Sequence, residues 1–148
     1  MLIKTNGGFL AGKIRQVGNR IFQRLLAEHG IDRFNGPQGR ILFVLWEVDD
    51  IPISELSAKT GLAKTTLTSM LDRMESDNLV RRAADVSDRR KINIKLTDDV
   101  RQLRTAYDNV SQRMNEIYYD GFTDDEIIAH EKYLLRILTN LERKESEK

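Results

Sequence analysis

One short stretch breaks an otherwise helical pattern and decides which kind of fold this chain can adopt. Ile92, Ile94 and Leu96 alternate with Lys91, Asn93 and Lys95, and a period of two marks a half-buried strand. Leu79 to Ala84 can pair with it. The connection between them, Asp85, Val86, Ser87, Asp88 and Arg89, is polar at most positions, so the pair reads as a hairpin. On either side, apolar residues recur at the spacing of amphipathic helices. The chain is therefore mainly α, with one projecting β-hairpin.

Ahead of the hairpin, Leu10, Ile14, Val17, Ile21 and Leu25, widened by Phe22 and Leu26, predict a helix from Phe9 to Glu28 that Gly30 stops. A second helix is expected from Pro37, with Ile41, Leu42, Leu45, Trp46 and Val48, before Asp49 and Asp50 turn the chain. Next come a short segment from Ile51 to Thr60, a tight turn at Gly61 and Leu62, and a helix from about Ala63 to Asp77. In that helix Leu67, Met70, Leu71 and Met74 share one face. Thr65, Ser69, Asp72 and Ser76 share the opposite one, flanked by Thr68 and Arg73. After the hairpin, Val100, Leu103, Tyr107, Val110, Met114 and Ile117 predict one long helix from Thr97 to a stop at Gly121. Thr123 and Glu126 then form a capping box, with Phe122 and Ile127 as a hydrophobic staple. The last helix carries Leu134, Ile137, Leu138 and Leu141.

At 148 residues the chain is read as a single domain able to bury its own core. It contains no cysteine, which excludes disulfides, thiolate metal sites and iron–sulfur clusters and makes a reducing cytoplasm the expected location. No run approaches the roughly 18 apolar residues of a membrane span, and the start lacks a secretory cleavage pattern. Net charge is only +1, but its distribution is uneven. Residues 61 to 97 carry 8 basic and 5 acidic side chains, while residues 98 to 148 carry 8 and 12. Within the hairpin, Arg81, Arg82, Arg89, Arg90, Lys91 and Lys95 face only Asp85 and Asp88.

A helix, a tight turn, a second helix and a basic hairpin can place that second helix in a major groove while the hairpin reaches the backbone or the minor groove. The expected DNA contacts on the helix are Lys64, Thr65, Thr66, Thr68, Ser69 and Arg73, where free backbone N–H groups at its start favour phosphate. On the hairpin they are Asp88, Arg89, Arg90 and Lys91. A carboxylate two residues before Arg90 can hold its guanidinium as a preformed probe.

The sequence resembles the MarR family of bacterial transcription regulators over nearly its whole length. The resemblance is carried by Ser54-Glu55-Leu56-Ser57, by Thr60-Gly61-Leu62-Ala63-Lys64-Thr65-Thr66-Leu67-Thr68, by Leu71-Asp72-Arg73-Met74-Glu75 and, most specifically, by Asp85 to Thr97 as the wing. It implies a DNA-binding homodimer, commonly a repressor of a palindromic operator released by a small molecule. Residues 37–97 would form the winged helix-turn-helix, and residues 1–36 and 98–148 the dimerisation helices. The dimer contacts are expected at Leu10, Ile14, Val17, Val110, Met114, Ile117, Leu134, Ile137, Leu138 and Leu141, and a pocket for a small aromatic effector at Phe22, Phe43, Trp46 and Tyr107. The chain departs from the family pattern at Ala63, where Ser or Asp usually caps the helix, and at Ser69, where a longer basic side chain is common.

Two rival readings are weaker. Gly7-Gly8-Phe9-Leu10-Ala11-Gly12-Lys13 fits a phosphate-cradling G-x-x-x-x-G-K loop, with Met1 to Thr5 as its preceding strand. However, Ile14 stands where a hydroxyl should bind Mg²⁺, and the alternating strands and helices of that fold are missing. A protein-interaction module built on the terminal helices would leave the hairpin without a purpose. His29 and His130 are the only histidines, and no metal, cofactor or catalytic site is expected.

Overall fold

The computed structural model describes residues 3–147. The chain forms two compact bodies, the first ending at Gln112 and the second beginning at Arg113. In chain order the elements are α1 (Gly7–Glu28), α2 (Gly36–Glu47), β1 (Ile51–Pro52), α3 (Ile53–Thr60), α4 (Lys64–Ser76), β2 (Val80–Ala84), β3 (Ile92–Leu96), α5 (Asp98–Arg101), α6 (Arg104–Tyr118) and α7 (Asp124–Ser146).

In the first body the expected hairpin forms, with β2 antiparallel to β3 in the register Val80 to Leu96 and Ala84 to Ile92. The two-residue β1, which periodicity could not show, pairs with the other edge of β3 through Ile51 and Ile94. Helix α2 is the centre of the core. Its Ile41, Leu42 and Leu45 are fully buried with Leu56 of α3, Leu67, Leu71 and Met74 of α4, and Ile94 of β3. It starts at Gly36, not Pro37, because Asn35 and Gln38 close a capping box: Gln38 N–H donates to Asn35 Oδ1 at 2.8 Å, and Asn35 N–H donates to Gln38 Oε1 at 3.0 Å. Gly39 is required where it stands. A Cβ there would lie 2.8 Å from Cε2 of Tyr107.

The structure corrects the sequence expectations at several places. The single helix expected from Thr97 is broken after α5. The carbonyl of Val100 is taken both by the Trp46 indole N–H, at 3.1 Å, and by the Leu103 N–H, so the chain tightens there before α6 begins. Strand alternation also fails at the far end of β3, where Ile92 is 44% exposed and Asn93 only 5%. Val110 is fully buried in the first body, one helical turn beyond buried Tyr107, and so is not available as a dimer contact. The glycine-rich start Gly7–Lys13 forms the opening turns of α1, which rules out a phosphate loop. Ile3 to Thr5 are not a strand, and Met1 and Leu2 lie outside the described residues.

The second body pairs the end of α6 with α7. Gly121 takes φ +82°, and Thr123 and Glu126 close the expected capping box, Thr123 N–H donating to Glu126 Oε1 at 2.9 Å and Glu126 N–H to Thr123 Oγ1 at 3.2 Å. Beside the turn, Tyr119 donates its hydroxyl to Glu131 at 2.8 Å. Burial first, and then this bond, push its pKa up to about 12. No helix among the described residues is long and apolar enough to cross a membrane, and no group of three or more His, Asp or Glu is placed to hold a metal ion.

Candidate nucleic-acid interface

Helix α4 is set by its buried stripe. Leu67, Leu71 and Met74 are fully buried and Met70 is half-buried, so the opposite face, Lys64, Thr65, Thr66, Thr68, Ser69, Asp72 and Ser76, is exposed. Ala63 is its N-cap and makes no side-chain bond, so the N–H groups of the first turn are left for solvent or an anion. Arg73 is exposed on the flank away from the hairpin. With Asp77, Gln23, Asp32, Arg33 and Phe34 it lines an open concavity of about 650 Å³.

Arg82, counted from sequence as part of the basic surplus, is neutralised by the structure. Its guanidinium pairs with Asp72 at 2.8 Å and Glu75 at 3.1 Å, both on α4, and its backbone N–H donates to Glu75 Oε2 at 3.0 Å. It braces the hairpin against the helix. The signal in the sequence was the pair Asp72 and Glu75, three apart and so on one helix face, with an arginine entering the next strand.

At the hairpin tip, Asp88 holds Arg90 as expected. Arg90 Nε donates to Asp88 Oδ1 at 3.0 Å and its Nη2 to Oδ2 at 3.3 Å, while the Arg90 side chain stays 91% exposed. The Arg90 bonds also hold the Asp88 carboxyl below the ordinary carboxylate range. Arg89 and Lys91 are exposed beside it.

Sequence reading missed the hub of this turn. Asp85 Oδ1 accepts from the Ser87 hydroxyl at 2.6 Å, the Ser87 N–H at 2.8 Å and the Asp88 N–H at 3.0 Å. Its Oδ2 accepts from Asn93 Nδ2 at 3.0 Å. These bonds, led by the Ser87 hydroxyl, depress the Asp85 carboxyl far below the usual range. Asn93 Nδ2 also reaches the Asp50 carbonyl at 3.4 Å, and Asn93 Oδ1 is buried without a partner among the described residues. An unsatisfied buried acceptor costs about 1–3 kcal/mol. Nothing in the local spacing marked Asn93, because strand alternation assigned it to solvent.

The four residues expected to wall an effector pocket do meet, but they fill the space between them. Tyr107 contacts Trp46 at 5.1 Å, Phe22 at 5.7 Å and Phe43 at 6.4 Å between ring centroids, and Phe34, unanticipated, joins at 6.0 Å. Trp46 and Tyr107 are buried, and none of the four lines the concavity beside Arg73. The reason is Gly39, which lets the Tyr107 ring press directly on α2.

A short helix anchored by buried Leu56, a glycine turn, a second helix with one exposed polar face, and a hairpin braced on that helix define a winged helix-turn-helix. The chain belongs to the MarR family of transcriptional regulators. A profile of the MarR family matches residues 34–92. YsmB of Bacillus subtilis (strain 168), described as an uncharacterized HTH-type transcriptional regulator, is 33% identical over 135 residues, which is 91% of this chain and 88% of that one. Among solved structures, a MarR transcriptional regulator from Methanosarcina mazei Go1 superposes with a TM-score of 0.80 at 18% identity, covering 96% of this chain and 94% of its own. Reduced AbfR bound to DNA superposes with a TM-score of 0.69 at 25% identity, covering 90% and 88%.

Proposed function

We propose that this chain is a sequence-specific DNA-binding regulator, not an enzyme, acting as a homodimer that represses at a palindromic operator and is released by a small-molecule effector. The observation that carries the reading is the hairpin tip, where Arg90 projects into solvent while Asp88 fixes its guanidinium. A preformed, exposed cation suits a narrow A·T minor groove. Lys64, Thr65, Thr66, Thr68, Ser69 and Arg73 would meet the major groove and its phosphates, and Arg89 and Lys91 the flanking backbone. Family membership and the likeness to AbfR, solved on DNA, support the same reading.

The dimer part rests on uncovered apolar side chains. On α1, Leu10 is 52% exposed, Ile14 47% and Val17 37%; on α7, Leu134 is 43%, Ile137 55%, Leu138 50% and Leu141 62% exposed. Covering the exposed half of each contributes about 1 kcal/mol by area, and a second copy would do so symmetrically. Ile117 at the end of α6 and half-buried Met114 extend this set. Phe9 at 74% and Leu135 at 63% belong to it as well. Residues 37–97 then act as the reading head and the flanking helices as the dimer frame. Sedimentation of the purified protein tests it: a dimer at micromolar concentration is expected, and a monomer that still binds DNA tightly would refute it.

A further inference from the structure

We propose that Asn93 is a positioning residue for the wing: it ties the tip turn to the sheet, and operator selectivity depends on that tie more than fold stability does. The inference rests on the reading that the wing meets DNA. Its first support is the direction of the amide. Both neighbours of the Asn93 amide, the Asp85 carboxylate and the Asp50 carbonyl, can only accept, so the NH₂ must face them. That orientation forces Oδ1 into the interior with no donor. At this 5% exposed position the orphaned oxygen offsets much of what the two amide bonds contribute to the fold. What asparagine supplies and leucine cannot is a directional bond to the turn.

The second support is where the turn's other side-chain bonds go. Asp85 to Ser87 and to Asp88, and Asp88 to Arg90, all close within residues 85–90. They shape the tip without fixing it to anything else. Among the described residues, the Asn93 bond is the side-chain hydrogen bond that leaves the turn. Its far end is the turn before β1, which Asn93 reaches at 3.4 Å through the Asp50 carbonyl, and the adjacent Asp49 accepts the Leu96 N–H at 2.9 Å and pairs with Arg101. A chain of bonds thus runs from the β1 turn through Asn93 and Asp85 to the Asp88 N–H and so to the Arg90 guanidinium. Without Asn93 the tip keeps its shape but loses its aim, and a contact that discriminates bases depends on aim.

The test uses the full chain, a duplex selected from a random pool by the unaltered protein, and an unrelated duplex at the same salt. Asn93→Leu removes the orphaned oxygen together with the two amide bonds, so it should melt at about the same temperature as the parent. It should lose on the order of tenfold in affinity for the selected duplex and under about twofold for the unrelated one. Asp85→Asn keeps an oxygen for Ser87 and Asp88 but turns an NH₂ toward Asn93, breaking the same bond from the other end. It should show the same loss although it removes a negative charge, and the double variant should be no worse than either single one. The proposal is overturned if Asn93→Leu keeps selected-duplex affinity while Arg90→Ala loses it. It is overturned equally if Asn93→Leu melts lower and weakens both duplexes alike. If Arg90→Ala also keeps full affinity, the wing reading itself has failed, and the inference fails with it.

Discussion

Replacing Gly39 by alanine sets two known effects against each other. Within α2, alanine is favoured over glycine by about 1 kcal/mol in backbone terms. Against that, the new Cβ would stand 2.8 Å from Cε2 of Tyr107 and 3.4 Å from Cε2 of Phe34. The Tyr107 ring is 7% exposed and touches Trp46, Phe22, Phe34 and Phe43, so it cannot withdraw without moving its neighbours. Overpacking of this kind costs about 1–3 kcal/mol. The net expectation is a destabilisation of about 1 kcal/mol, or a melting temperature roughly 2–4 °C lower for a chain of this size, with altered Trp46 fluorescence. Gly12→Ala is the control. Nothing lies within 4 Å of a Cβ there, so propensity alone acts and the melting temperature should rise. If thermal melts show Gly39→Ala stabilised as much as Gly12→Ala, the Tyr107 ring is free to move and the reasoning about a filled aromatic cluster is wrong.

Arg90→Ala should weaken operator binding by about 1–3 kcal/mol and erode A·T preference at the flank, whereas Lys91→Ala should weaken all duplexes alike and lower the salt slope by about 1; equilibrium titrations over a salt series separate them. Asp88→Ala should reduce operator affinity despite the gain in net positive charge, and tighter operator binding at unchanged circular dichroism would refute a preformed Arg90. Arg82→Ala leaves Asp72 and Glu75 unpaired on the exposed flank of α4, so DNA affinity should fall several-fold, with Arg82→Lys restoring only part because it cannot bridge both carboxylates. In an absorbance titration of the four tyrosines, Tyr119 should ionise near 12 and Tyr107, raised by burial, also above its ordinary range. Because the folded state holds the Tyr119 proton more tightly, its contribution to stability is complete below pH 10 and lost as pH rises toward 12, and Tyr119→Phe should remove that step.

Periodicity reported what repeats, and the structure adds what happens once. The buried stripe of α4, the hairpin register and the Thr123–Glu126 capping box follow from spacing that any similar chain would obey, and so does the Asp88–Arg90 pair, two residues apart. The break between α5 and α6 could not be read this way. It depends on an indole from Trp46, which lies far away in sequence, reaching one carbonyl. The same holds for Asn93, whose burial is set by Asp50 and Asp85 and not by its place in the strand. Arg82 shows the limit of counting charge, since a cation pinned by two carboxylates adds nothing to a basic surface. Val110 shows the limit of a helical stripe. The stripe says which side is apolar but not whether the chain itself or a second copy will cover it.

The most direct measurement is selection of duplexes from a random DNA pool by the purified protein, followed by sequencing of the bound fraction. The expected result is an enriched palindrome with half-sites about 10 base pairs apart, centre to centre, and A·T-rich flanks where Arg90 would insert. Recovery of no preferred sequence at moderate salt would contradict it and would leave a protein-interaction module on the terminal helices as the better reading.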